Sequence, residues 1–581
     1  MPHRRALLRR IPAAAAAVVV RHPLMAVPGA VDPAPVFAHG VASGDPTPDG
    51  VLLWTRVSIP DSPATVPVRW VVASDPELDD VVATGTHRAS ADHDWTVHVE
   101  VSGLPPSTTW WYRFEAGGER SPVGRTRTAH GPDDRSEVRL GVVSCSSYAA
   151  GHFSAYRRLA ARDVDLVVHL GDYLYESNQG DERTHIPEDE PVTLAEYRAR
   201  HAQQRGDPDL QALHQRFPMA AVWDDHEVAA DAWEHGAGGH NARTQGPWAE
   251  RRAAALRAYL EWMPVRRPDT GAPERIWRSL QLGAVAELVL IDTRHDGRSR
   301  QVDTSFPDPA AALADPGRRI MSDAQHEWLS ERLRSSTTAW RVVANQVVLS
   351  PLRIEVPPPL AQVGRGLGLV VGSAVMNPDQ WDGYPAARTR LLDVVAEPEV
   401  GPVVVITGDI HSSWAFDVPP GDDLAAAPVA VELVTPSVTS PTFAQLVGPD
   451  SSVVADGIVQ VVDDQLPHVR WTELQHHGYV VVAIDSEAVQ ADWWHVDAVD
   501  GSTDTEALAS SWVVTAAGTG LRPAEAPLGP RPEPPPPAPP PPTAPADGAR
   551  DGNERLIGGA FGAAVVGVGA LVVLRRRRQE R

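Results

Sequence analysis

Leu166-Val167-Val168-His169-Leu170-Gly171-Asp172-Tyr173-Leu174-Tyr175-Glu176 decides how this chain folds: an apolar, partly β-branched run that ends on acidic and phenolic side chains. Two other stretches follow the same grammar. One is Met219-Ala220-Ala221-Val222-Trp223-Asp224-Asp225-His226-Glu227, and the other is Val403-Val404-Val405-Ile406-Thr407-Gly408-Asp409-Ile410-His411. The apolar runs read as buried strands, and a side chain at a strand's carboxyl end points into the crevice where α/β sheets do chemistry. Three such ends in one sheet are expected to converge on two metal ions, which makes the chain a candidate metal-dependent hydrolase.

Composition narrows the remaining classes. At 581 residues the chain exceeds one ordinary core, so several segments are expected. A formal charge of −23 and a pI near 5.4 argue against general binding of nucleic acid or anionic membrane by the folded part. Every basic residue other than histidine is arginine. Cys145 is the single cysteine, so no intramolecular disulfide can form. By residue type it is a buried filler; at a strand end, it is also a potential ligand.

The two ends read as addresses. Arg4-Arg5-Ala6-Leu7-Leu8-Arg9, followed by the apolar run Ile11 to Val20, has the pattern of a twin-arginine export signal over residues 1–30, with Gly29-Ala30 the expected cleavage region. Pro523 to Ala546 is dominated by proline, and a proline-rich stalk is expected over 518–555. Leu556 to Leu574 carries no charge and is long enough to span a bilayer, and Arg575 to Arg578 should stay cytoplasmic in the tail 575–581. The expected location is the extracellular face of the plasma membrane, tethered by one C-terminal helix. The sequence leaves the oligomeric state open.

Between these ends two bodies are expected. Over 35–130, short alternating runs such as Val51-Leu52-Leu53-Trp54 and Trp95-Thr96-Val97-His98-Val99 read as an all-β sandwich. Leu104-Pro105-Pro106 before Trp110-Trp111-Tyr112 gives it a fibronectin-III-like corner. Over 137–517, strands and helices alternate, and Ser322 with Gln325 predicts a capping box. The fold class is therefore α/β (α+β), with two sheets flanked by helices.

Ser144-Cys145, Gly171-Asp172-Tyr173-Leu174-Tyr175-Glu176, Trp223-Asp224-Asp225-His226-Glu227, Trp381-Asp382-Gly383-Tyr384-Pro385 and Gly408-Asp409-Ile410-His411, in this order, resemble the alkaline phosphatase D (PhoD-type) family of calcineurin-like metallophosphoesterases. The resemblance runs from about Phe37 to Val496 and includes the β region. It implies a two-sheet sandwich holding one iron, as Fe3+, with Ca2+. Carried over by position, it implies that Cys145, Asp172, Tyr175 and His411 hold the iron, that Asp172 bridges, and that Asp225 and Asp409 serve calcium. His226 is implied to sit over the phosphate as the catalytic partner of Asp172. Ser146 stands where the family has glutamine, which bears on the support of Cys145.

The residue chemistry agrees with that set. Thiolate and phenolate suit trivalent iron, and carboxylates suit calcium. Paired cations about 3.5–4 Å apart clamp phosphoryl oxygens and make a metal-bound hydroxide that attacks phosphorus in line. Arg294, Arg298 and Arg300 follow a predicted strand, and Arg294 is a candidate phosphate contact. Asp224 reads equally as a ligand or as a hydrogen-bonding group. Glu176 and Glu227 read first as turn caps or ion-pair partners, and Tyr173 as packing. Trp381 and Tyr384 either frame the pocket or close a loop, and His476-His477 read as surface or packing.

The leading functional expectation is an exported, membrane-anchored alkaline phosphatase acting on phosphate monoesters. Its nearest rival is a phosphodiesterase or phospholipase-D-like hydrolase of lipids, teichoic acids or nucleotides. A non-catalytic surface module is a third reading. A metallopeptidase finds no His-Glu-x-x-His helix.

Overall fold

Val138–Val143, Leu166–His169 and Pro218–Ala221 are buried at every position, as expected of parallel strands covered on both faces. In the computed structural model they lie side by side in a ten-stranded sheet. His169 pairs with Val143 on one side and Ala221 on the other. The segments that follow these three strands therefore leave the sheet at one level. The structure describes residues 35–59, 63–267, 274–303, 305–355, 374–375, 377–447, 451–502, 504–518, 520–532 and 536.

The third motif strand, Val403–Thr407, is not in that sheet. It lies in the middle of a second, seven-stranded sheet, in parallel with Trp340–Asn345 and Ala430–Val434. The expectation of three ends in one sheet is thus corrected: two motifs come from one sheet and the third faces them from the other. Apolar runs of one composition do not encode which sheet they join; pairing does.

Leu140, Val142, Val168, Leu170 and Val222 from the first sheet meet Leu288, Leu290, Val342, Ile406 and Leu433 from the second in one core. The alternate residues Val143, Val167 and Met219 pack outward on Tyr156, Leu159, Leu213 and Tyr259 of helices. Val289, Val343 and Val405 do the same against Leu329, Leu333, Leu391 and Leu392. The period of two along each strand is what makes two helical layers enclose two sheets. Ser322 caps the helix Asp323–Ser335 by accepting the Gln325 N–H at 3.1 Å. The Gln325 amide turns away to Asp292 O, so half of the predicted box forms.

The all-β region has two packed faces, yet it does not stand apart. Thr65–Ala73, Val81–Ser90, Thr109–Ala116, Glu119–Arg120 and Gly124–Arg127 form a five-stranded sheet. The opposing face, Val41–Thr47, Gly50–Arg56 and Thr96–Ser102, is the continuation of the ten-stranded sheet, joined through parallel pairing of Ser43 and Gly44 with Pro218 and Met219. The proline-rich segment also stays longer on the body than 518 would imply. Arg522–Pro523 pairs with Trp512 and Val513, Leu528 N–H donates to Asp492 at 2.7 Å, and Arg531 pairs with Asp163 and Asp165. The expected export signal and membrane span fall outside the described residues. Among the described residues no helix is long and apolar enough to cross a membrane.

Asp45 joins these parts. It is fully buried and takes the Arg278 guanidinium in a two-pronged pair at 2.7 and 2.8 Å, together with the Arg266 N–H at 2.6 Å. Arg278 opens the edge strand of the second sheet and also donates to Ala221 O at 3.0 Å. Removing one member leaves a buried charge unpaired, which costs about 3–5 kcal/mol. Asp45→Ala is expected to lower the calorimetric unfolding midpoint, whereas Asp303→Ala, removing an exposed pair, should leave it nearly unchanged.

Candidate metal centre

The chain turns sharply where each motif strand ends. Cys145, Asp172, Asp409 and His411 all have left-handed backbone, with φ of 59°, 53°, 68° and 51°. Such a conformation costs a side-chain-bearing residue about 1–3 kcal/mol and persists only where its surroundings hold it. Gly171 lets two of the turns touch. Its φ is +109°, and a Cβ there would lie 2.5 Å from Asp224 Cβ.

These turns gather the expected donors from four stretches of chain. Cys145, Asp172 and His411 place ligand atoms within 4.8 Å of one another, as do Asp172, Asp225 and His226, and Asp172, Asp224, Asp225 and Asp409. Asp172 belongs to all three groups. Tyr175 Oη donates to Asp172 Oδ2 at 2.8 Å and lies 3.1 Å from His411 Nε2. His411 Nδ1 lies 2.9 Å from Pro441 O; donating its N–H there leaves the Nε2 lone pair toward Tyr175 and Asp172.

The electrostatics call for cations. Burial, then neighbouring carboxylates, push the Asp172 carboxyl well above the usual range, with His226 opposing. Burial likewise raises Asp409, and it raises the Cys145 thiol with help from Asp172 and Asp409. Asp225 Oδ1 is buried with no hydrogen-bond partner. A sulfur, a phenol oxygen and an imidazole nitrogen lie on one side of Asp172 and carboxylates on the other, a donor set suited to metal ions.

Arg294 sits elsewhere than expected. It is fully buried, and its guanidinium is enclosed by Asp224, Asp225, Asp379 and Asp409, with Asp379 at 2.7 Å and Asp409 at 3.1 Å. It neutralises the acidic side of the cluster instead of facing an open phosphate position. Arg298 pairs with Asp379 at 2.6 Å, and Arg300 forms an exposed pair with Asp303. Asp224 is both a member of the cluster and the partner of Arg294.

The residues that position the donors carried little sequence signal. Glu176 takes His226 Nδ1 at 2.7 Å and the Ala230 N–H at 2.8 Å. Burial would raise the Glu176 carboxyl, but His226 and the Ala230 N–H bring it down to about 2. His226 moves well above the usual imidazole range, since Glu176, Asp172 and Asp225 outweigh its burial. Glu227 receives the N–H groups of Asp172, Tyr173 and Asp224 at 3.1, 2.7 and 2.8 Å, tying two turns together. Gln380 donates to Asp409 at 2.6 Å. Trp381 and Tyr384 are buried and hydrogen-bond Asn345 and Ser299, so they close a loop. At the position where glutamine was expected, the Ser146 hydroxyl donates to Tyr173 O at 2.8 Å, and the Gln204 amide donates to Ser146 O and Tyr173 O.

A two-sheet sandwich with such donors collected at strand ends is the architecture of a metal-dependent hydrolase. The chain belongs to the PhoD-like phosphatase family: residues 140–493 match that family and residues 25–130 match its N-terminal domain. It is 33% identical to alkaline phosphatase D of Bacillus subtilis (strain 168) over 508 residues, covering 84% of this chain and 82% of that protein. The solved structure of PhoD superposes with a TM-score of 0.75 at 33% identity, covering 86% of this chain and 94% of that one. The protein is a phosphoric ester hydrolase.

Glu176 holds His226 without being a member of the donor group that includes it. Replacing such a partner costs about 10–100-fold in activity. Glu176→Gln is expected to lower phosphatase turnover by that factor while elemental analysis finds the bound metal unchanged.

Proposed function

We propose that the protein is an exported, membrane-tethered alkaline phosphatase that hydrolyses phosphate monoesters with iron and calcium. The observation that carries the reading is the membership of Asp172 in every donor group of the site, the place a bridging carboxylate requires. In this reading Cys145, Asp172, Tyr175 and His411 hold the iron, and Asp172, Asp225 and Asp409 hold calcium. Bound there, the ions supply Lewis-acid activation of water and neutralise phosphoryl charge.

The chain's own residues do the rest. His226 is fixed by Glu176 through Nδ1 and packed against Tyr175 with ring centroids 4.1 Å apart and the rings tilted by 32°. Its other nitrogen, Nε2, is left to donate a hydrogen bond to a phosphoryl oxygen and a proton to the leaving alkoxide as the P–O ester bond breaks. Arg294 holds Asp224, Asp225 and Asp409 together from the buried side. The export reading rests on the N-terminal arginine pair and apolar run, and the tether on the uncharged stretch from Leu556 to Leu574 followed by four arginines.

Elemental analysis of the purified protein, with rates on an aryl phosphate monoester and the matching diester, tests this reading. Iron with calcium and a faster monoester are expected. Absence of iron, or a faster diester, overturns the corresponding part. Asp172→Ala should abolish turnover and metal retention together in a folded protein. His226→Ala should lower turnover about 10²–10⁴-fold with metal retained. Cys145→Ser should weaken iron retention and shift the phenolate-to-iron absorption band.

A further inference from the structure

The chain crosses from the second sheet to the first at Leu474 to His476, and three metal-type donors meet at that seam. Glu473 ends the edge strand Val469–Glu473 and stands opposite Ser413. His476 lies in the crossing, and His495 stands opposite Gly478 in the ten-stranded sheet. One ring nitrogen from each histidine and one Glu473 oxygen lie within 4.8 Å of one another. None of the three belongs to the cluster around Asp172.

The spacing suits a small ion. His476 Nδ1 is 2.9 Å from Glu473 Oε1, and His495 Nδ1 is 3.8 Å from Glu473 Oε2. The two histidines approach different oxygens of the one carboxylate; a tetrahedral ion with bonds of about 2.0–2.2 Å holds its ligand atoms about 3.3–3.6 Å apart, so seating one asks His476 to move out from Oε1 by about 0.4–0.7 Å. The donors are also held in place. His495 Nε2 lies 3.0 Å from Ser413 Oγ, and donating its N–H there leaves the Nδ1 lone pair toward Glu473. Glu473 is aimed by the N–H groups of Gln475 and His476 at 2.8 and 3.1 Å. The two imidazoles lie parallel, 8° apart with centroids at 5.2 Å, and Trp471 stacks on His495.

We propose that Glu473, His476 and His495 form a second metal site, separate from the catalytic cluster, for a divalent transition ion of zinc type. Two imidazoles and one carboxylate match zinc and its neighbours and not calcium, which takes oxygen. His495 is buried and His476 half exposed, so three protein donors close the inner side and solvent supplies the rest. Burial holds His495 down near 4, so its lone pair is free at neutral pH. The proton shared by His476 and Glu473 leaves when the ion enters, so affinity falls as pH falls. Asp497 adds negative charge near His476, and His477 neighbours His411, His476 and His495. An ion at the seam binds the folded chain and not the unfolded one, and so stabilises it.

The test uses the holoenzyme dialysed against ZnCl2, then analysed for metals and melted with and without zinc. Wild type is expected to retain one more zinc per chain than His476→Ala or Glu473→Gln, and to show a zinc-dependent rise in melting midpoint that both variants lack. Zinc entering the catalytic cluster does so in all three proteins and cancels in the comparison. His476 is half exposed, so His476→Ala tests the site without a buried cavity. Equal zinc in wild type and His476→Ala overturns the proposal.

Discussion

Carboxylates crowded together and buried from solvent set the terms for this structure. Asp172, Asp224, Asp225 and Asp409 hold ligand oxygens within 4.8 Å of one another and are almost wholly buried. Two unit charges about 4 Å apart repel by about 4 kcal/mol at an effective dielectric of 20. Arg294, at 0% exposure, answers part of this charge by contacting three of the four. Asp172 is outside its reach among those contacts and faces the thiol, phenol and imidazole instead. The Arg294 guanidinium and the expected cations thus divide the acidic site between them.

Holding that crowding open takes work from the backbone. Four of the donors sit in left-handed turns, each about 1–3 kcal/mol above an ordinary conformation. The sheets on either side make the strain affordable: strands buried at every position fix where each turn begins, and the level register of Val143, His169 and Ala221 brings three turns to one rim. The second sheet contributes the facing turn after Val403–Thr407. A parallel bridge between Ser144 and Ser437 ties the two at this end.

Between scaffold and donors lies a shell of hydrogen bonds that sets direction. Glu176 points His226, Glu227 fastens two turns by three N–H groups, Pro441 fixes the tautomer of His411, and Gln380 steadies Asp409. Gln204, from a helix, donates to Ser146 O and Tyr173 O and so ties the turns after Val138–Val143 and Leu166–His169. This is why glutamates that read as turn caps prove central to the site without being ligands.

Much of the site was legible beforehand because its donors follow apolar runs in order, and a strand end fixes where the next side chain goes. The segments that hold Asp172, Tyr175, Asp225, Asp409 and His411 are readable in this way, as are two sheets with helical layers, whereas the place of Cys145 and the division of the donors are what the family resemblance implies. Sheet membership was not, since Val403–Thr407 and Leu166–His169 have the same character and only pairing separates them. Neither was the merging of the N-terminal strands with the ten-stranded sheet, nor the enclosure of Arg294 by acids drawn from three other segments. Sequence by itself determined which residues are candidates for the chemistry, because residue type and strand periodicity are local. Tertiary structure alone decided which of them neutralise, aim or brace the others, because charge balance and hydrogen-bond direction depend on groups that are distant in the chain and adjacent only in space.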